Sequence, residues 1–162
     1  ISVGSGGAAS IEFTSIVQDA VDLKMVISAR LDSTGISTEY KIQFNGNTGS
    51  VYSTRSIAGD GSSINYRAAG STSFLENLSF QKNGATSNTF GNGELYVSNY
   101  TGSLPKVASF MAVSENNASE AYQGVAAFAT SDTSAITSIK VFGTTGNIME
   151  HSTASLYKVT SD

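Results

Sequence analysis

Cysteine and tryptophan are missing from this 162-residue chain, and proline and histidine occur once each. Without cysteine there are no disulfides, no thiolate metal ligands and no cysteine nucleophile. Small secreted modules are commonly stapled by bridges, so their absence suits folding in a reducing cytosol. Zinc needs three or four His, Cys or carboxylate ligands, and no recognisable spacing here gathers them. Charge is scarce as well: charged residues make up 14% of the chain, the net charge is −4, and the nine basic residues stand singly. That excludes a nucleic-acid groove, which needs clustered Lys and Arg. No apolar run approaches the roughly 20 residues of a membrane-spanning helix. The start, Ile1-Ser2-Val3-Gly4-Ser5-Gly6-Gly7, has neither an initiator Met nor a basic n-region. It is not a signal peptide, and the chain as given is expected to lack a short leader.

What is present is alternation. Val21, Leu23, Met25, Ile27, Ala29 and Leu31 alternate with Asp22, Lys24, Val26, Ser28 and Arg30. A period of two puts the first set on one face of a half-buried strand, with Val21 to Ala29 facing the core. Ile11 and Phe13 repeat the pattern, as do Tyr40, Ile42 and Phe44 before the turn cluster Asn45-Gly46-Asn47-Thr48-Gly49. Leu95 and Val97 form another strand, and Ile136–Phe142 and Ser155–Thr160 complete the series. Lys106–Val113, preceded by Pro105, is apolar on both parities and reads as a central strand covered on both sides. Ser119–Ala129 fits either a helix or a strand; Gly124 and the spacing of Tyr122, Ala126 and Phe128 favour a strand. Residues 50–88, broken at Asp60-Gly61, Gly70 and Asn83-Gly84, read as short strands and long loops. Phe44–Gly49 and Phe142–Gly146 read as two similar hairpin turns. Seven to nine short strands in this arrangement predict an all-β fold: a single-domain, jelly-roll-like antiparallel β-sandwich over residues 1–162.

Residues for catalysis are hard to assemble. His151 is the only histidine, and no G-x-S-x-G elbow accompanies any serine. If its segment is extended, Glu150 and Ser152 point to the opposite face. Carboxylate pairs that a glycan hydrolase could use are Asp19 with Asp22, Glu115 with Glu120, and Asp60 with Asp132. Turn aspartates that cap their own backbone are the commoner explanation. Asp60-Gly61-Ser62-Ser63 and Glu115-Asn116-Asn117 are candidate calcium loops without an EF-hand pattern. Gly6-Gly7 and Gly91-Asn92-Gly93 lack the G-K-[ST] of a phosphate loop. Tyr52, Tyr66 and Tyr100 lie in or beside turn-rich segments and are the candidates for stacking on a sugar, or for sheet-edge tyrosines with a wet hydroxyl. The sequons at Asn77, Asn99 and Asn117 are expected by chance in so Asn- and Ser-rich a chain. The reading is therefore non-enzymatic, with no catalytic residue, cofactor or metal assigned.

Several segments in order resemble one family. They are Gly4-Ser5-Gly6-Gly7-Ala8-Ala9-Ser10-Ile11-Glu12-Phe13-Thr14-Ser15-Ile16, Ile42-Gln43-Phe44-Asn45-Gly46, Asn88-Thr89-Phe90-Gly91 and Val97-Ser98-Asn99-Tyr100-Thr101. Ala135-Ile136-Thr137-Ser138-Ile139-Lys140 and Ser152-Thr153-Ala154-Ser155-Leu156-Tyr157 follow. Together they resemble the small β-domain proteins encoded among the structural genes of tailed bacteriophages, marine and cyanobacterial ones especially. One departure is Gln18, where that family would be expected to carry Pro in the turn after the first strand.

The resemblance implies a virion component made in the host cytoplasm and exposed on the particle. It would be a capsid-decoration, head-fibre or tail-fibre-associated attachment subunit whose partners are other capsid or tail proteins. By the same analogy the working form is a homotrimer, with neither nucleic acid nor membrane insertion involved. Lys106–Val113 has more apolar surface than a two-layer sandwich buries on one side of a strand, which makes Phe110 and Met111 the expected interface contacts. The alternatives are a carbohydrate-binding or receptor-binding module that meets a host surface glycan, and, more distantly, a carboxylate-based glycan hydrolase.

Overall fold

The structure, a computed structural model, describes residues 1–34, 37–117 and 121–161, with side chains described except at 37–39 and 77–80. Its strands in chain order are β1 (Ser10–Phe13), β2 (Asp22–Leu31), β3 (Ser37–Phe44), β4 (Tyr52–Gly59), β5 (Ile64–Thr72) and β6 (Leu75–Lys82). They continue with β7 (Gly91–Val97), β8 (Lys106–Glu115), β9 (Ala121–Thr130), β10 (Ile139–Gly143) and β11 (Thr153–Val159). No helix occurs among the described residues.

The strands form two antiparallel sheets. The larger runs β11-β2-β7-β8-β9-β4-β5 and the smaller β1-β10-β3-β6. They are joined where Arg30 and Leu31, at the end of β2, run parallel to Gln81 and Lys82 of β6. Across the sandwich β6 lies over β8, β9 and β4, and the Glu76 N–H approaches Thr54 Oγ1 at 3.4 Å. The fold is thus an all-β antiparallel sandwich around one core.

Alternation explains where that core sits. Leu23, Met25, Ile27, Ala29 and Leu31 of β2 are all buried, opposite Leu95 and Val97 of β7 and Ala154 of β11. Each such large side chain contributes roughly 1.5–3 kcal/mol by leaving water. Val21 departs from the reading: it is 43% exposed and precedes β2. Its backbone ties the chain end instead, with Val21 N–H donating to Val159 O and Tyr100 N–H to Val21 O.

Elsewhere the structure corrects the sequence reading. Residues 50–88 hold three well-formed strands, β4, β5 and β6, in place of short strands and long loops. Burial periodicity could not reveal β5, because none of its residues is buried. The turns after Phe44 and Phe142 are not hairpins: β3 pairs with β10 and β6, and β10 with β1 and β3. At the first of them Asn45 and Gly46 take successive left-handed conformations (φ 55° and 62°), which Asn and Gly adopt most readily. The Asn45 side chain then accepts from Thr137 N–H (2.7 Å) and donates to Ala135 O (2.9 Å), fixing the approach to β10. Gln18 takes up a role that Pro cannot: its Nε2 donates to Ile16 O and Ile136 O at 2.7 and 2.9 Å.

Candidate docking surface

The candidate catalytic groups that the structure describes are held by turns, by strand ends and by an ion pair. His151 sits in a turn at φ 70°, not in an extended segment, and its N–H donates to Val3 O. The neighbouring Ser152 is buried, with its Oγ accepting from Arg30 N–H at 3.2 Å. Asp19 accepts both of its 2.8 Å bonds from Lys158, which holds its carboxyl below the usual range. Asp22 accepts from the Tyr96 hydroxyl and from Asn99 N–H at 2.5 and 2.7 Å. Asp60 caps its own turn, taking Ser63 and Ser62 N–H at 2.7 and 2.8 Å, and its pKa is depressed chiefly by those bonds. Asp60 and Asp132 lie beyond opposite ends of the β4–β9 pairing, which by itself spans roughly 23 Å at ~3.3 Å per residue. That is far beyond the separation of a glycosidase pair. Glu120 and residues 118–119 of the Asn117 sequon lie outside the described residues, as does the Asn77 side chain. Among the described residues no three His, Cys, Asp or Glu come together to hold a metal.

Asp132 carries a pH prediction. Its carboxylate accepts from Ser134 N–H (2.9 Å) and Asn47 Nδ2 (2.6 Å), and these bonds lower its pKa from 3.8. Its contribution to stability is complete above the unfolded-state value and is lost as pH falls through the lower folded value. Calorimetry is expected to find a flat melting temperature down to about pH 5 and a fall below about pH 4. Asp132→Asn should shrink that fall; an identical acid limb would contradict the assignment.

Two buried cations organise the loops around the core. The Arg30 guanidinium donates to the carbonyls of Asn83, Ala85, Thr86 and Thr89 at 2.8–3.2 Å, in the connection between β6 and β7. Lys106 Nζ donates to the carbonyls of Leu104, Thr133 and Ser134 at 2.6–3.1 Å, although only 3% of the residue is exposed. Burial pushes both pKa values down, as expected for charges taken out of water.

Of the three candidate tyrosines, two are internal. Tyr52 donates to Phe44 O and accepts from Phe44 N–H, and buried Tyr100 donates to Val17 O. Tyr66 is 75% exposed on β5. The expected interface pair also divides. Phe110 is 2% exposed and packs on Phe128 with ring centroids 6.1 Å apart, so it belongs to the core of this chain. Met111, next along the strand, points outward and is 47% exposed. β8 is covered on one face only, with Ala108, Phe110 and Ala112 inside and Val107, Met111 and Val113 outside.

Register extends this outer face across the sheet. Met111 lies opposite Val125, Val125 opposite Ile57, and Ile57 opposite Tyr66. All four are exposed, and they form an apolar row across β8, β9, β4 and β5. Val113 and Ile64 flank the row on one side and Val107 extends the outer face of β8 on the other. Two open hollows of about 530 and 660 Å³ border Ile57 and Val125, the second also lined by Tyr66, Arg55 and Arg67. A contiguous exposed apolar patch of this kind is what an interaction surface presents. Sequence reasoning found Met111 but missed Val125, Ile57 and Tyr66 as its row mates; only the register brings them together. No protein-family model matches the chain, and no curated protein matches it.

Proposed function

We propose that the protein is a non-enzymatic structural subunit on the surface of a tailed-phage virion, serving capsid decoration or a head- or tail-fibre attachment. It acts by seating the outer face of β8, β9, β4 and β5 on neighbouring virion proteins and works as a homo-oligomer. The observation that carries the assembly role is the exposed row Met111, Val125, Ile57 and Tyr66. Its support is physical: sheet faces normally alternate apolar inside with polar outside, and here the outer positions of the central strands are apolar too. The resemblance of segments spread from Gly4 to Tyr157 supplies the particle. The test is mass spectrometry of density-purified particles of the phage that encodes the chain. The expected result is the protein in stoichiometric amount relative to capsid or tail subunits. Its presence in the lysate but absence from purified particles would overturn the virion role.

A second reading has one observation in its favour. Tyr66 stands exposed at a hollow with Arg55 and Arg67, an arrangement on which a pyranose ring of a host surface glycan can stack. A glycan array probed with the wild type and with Tyr66→Ala separates the two readings. Binding lost in the variant favours the receptor role, and no binding by either protein leaves assembly alone.

A further inference from the structure

We propose that the free edge of β5 pairs antiparallel with β5 of a second copy of this chain, about a two-fold axis at Tyr66. This rests on the assembly reading and names its first partner, a second copy in a two-fold dimer in place of the homotrimer that the resemblance implies, and it does not depend on which particle the dimer joins.

The molecule treats its sheet edges unequally. The outer edge of β11 is covered at its start by the chain's first residues: Ser2 bridges Thr153, Ala154 N–H donates to Ile1 O and the Ile1 amine to Ala154 O. The outermost strand of the smaller sheet, β1, is only four residues long. β5 is nine residues long, pairs only with β4 among the described strands, and has no buried residue. Open edges are normally blunted by lysine, proline or inward charge, because unpaired N–H and C=O groups template another strand. In β5 the sole charged side chain is Arg67, and there is no proline.

Symmetry and register choose the pairing. An axis at Arg67 would oppose two like charges, which destabilises an antiparallel pair. An axis at Ala68 would draw in Ser71, the left-handed residue (φ 56°) where the β4–β5 register shifts. An axis at Tyr66 avoids both. Arg67 then faces Asn65 of the other copy, Ala68 faces its Ile64, and Ser71 falls outside the paired stretch. Tyr66 meets Tyr66, so the row Met111, Val125, Ile57, Tyr66 runs unbroken through the axis into its mirror order. The pairing brings the exposed large apolar side chains of the strand, Ile64 and Tyr66, against the other copy and partly covers them.

Analytical ultracentrifugation of the chain at micromolar concentration is expected to give a dimer of the 16.8 kDa subunit. Tyr66→Glu and Tyr66→Lys, both at an exposed position, should keep the wild-type circular dichroism. Each should weaken self-association by roughly tenfold or more, because like charges then meet at the axis. An equimolar mixture of the two should restore the dimer. Since the chain has no cysteine, Tyr66→Cys gives a second readout. Paired α-carbons at the axis are about 4.5–5.5 Å apart, within disulfide reach, so it should cross-link far faster than Ser109→Cys. A monomer at every concentration, a trimer, or a dimer indifferent to Tyr66→Glu overturns the proposal. A dimer absent from purified particles keeps this inference and overturns the virion role; a monomer present in particles does the reverse.

Discussion

Ile27→Asp is expected to leave no folded protein at room temperature. Ile27 is 1% exposed at the centre of β2, with Ala154 of β11 and Gly93 of β7 opposite it. A carboxylate there has no cation beside it on either neighbouring strand, and protonating it still buries an unmatched hydroxyl. The combined loss of apolar contact and cost of desolvation is several kcal/mol, against about 5–15 kcal/mol holding a typical domain together. Lys24→Ala, on the opposite face of the same strand, is the control. It removes only the 2.9 Å pair with Glu94, whose side chains are 38% and 40% exposed, and should cost less than about 1 kcal/mol. Urea unfolding followed by circular dichroism measures both. A cooperative transition for Ile27→Asp at the wild-type midpoint would mean that β2 faces the other way.

Arg30→Ala should produce the next largest loss, about 3 kcal/mol or more. The guanidinium is the common donor to four backbone carbonyls between Asn83 and Thr89, and to Thr89 Oγ1 at 3.3 Å. Truncation leaves those acceptors without their donor in a part-buried site, at roughly 1–3 kcal/mol for each one that water does not reach. Arg30→Lys is expected to recover only part of the loss, because an ammonium has three donors and no planar fork. Hydrogen exchange should show protection lost first between β6 and β7, before the strands of the larger sheet. Wild-type stability in Arg30→Ala would show that the loop holds its conformation without the guanidinium.

These two residues mark how far the sequence could be read. Ile27 was legible because β2 buries one parity and wets the other, and period two is the signal a half-buried strand leaves. Arg30 was not, because it lies on the parity that had pointed to solvent from Asp22 to Ser28. The burial pattern changes at the end of β2, where the strand meets β6. Lys106 did leave a signal, since it shares parity with Ala108, Phe110 and Ala112, although a strand-initial lysine ordinarily reaches water. The Phe110–Met111 step shows a different limit. Both parities of β8 are apolar, so alternation says that the two side chains diverge without saying which goes inside. β5 carries a short alternation, Ile64, Tyr66 and Ala68 against Asn65 and Arg67, but as an edge strand with no buried residue it gives that alternation no inside, so the pattern could not be matched to a core face. Tyr52 and Tyr100 are buried through hydroxyl bonds to distant carbonyls, and nothing local in the sequence distinguishes them from exposed Tyr66.

On the proposed function, the outer face of β8, β9, β4 and β5 is the working surface of the protein. Re-coating tests it most directly: particles purified from a phage lacking the gene are incubated with wild-type protein or with Val125→Lys, and bound protein is measured after sedimentation. Val125 is half exposed in the middle of the apolar row, so the lysine leaves the core untouched and the monomer folded. The wild type should bind saturably and Val125→Lys should lose at least roughly tenfold, as expected when a charge is placed in the apolar centre of an interface. Equal binding by the two proteins, with the variant verified as folded, would contradict it.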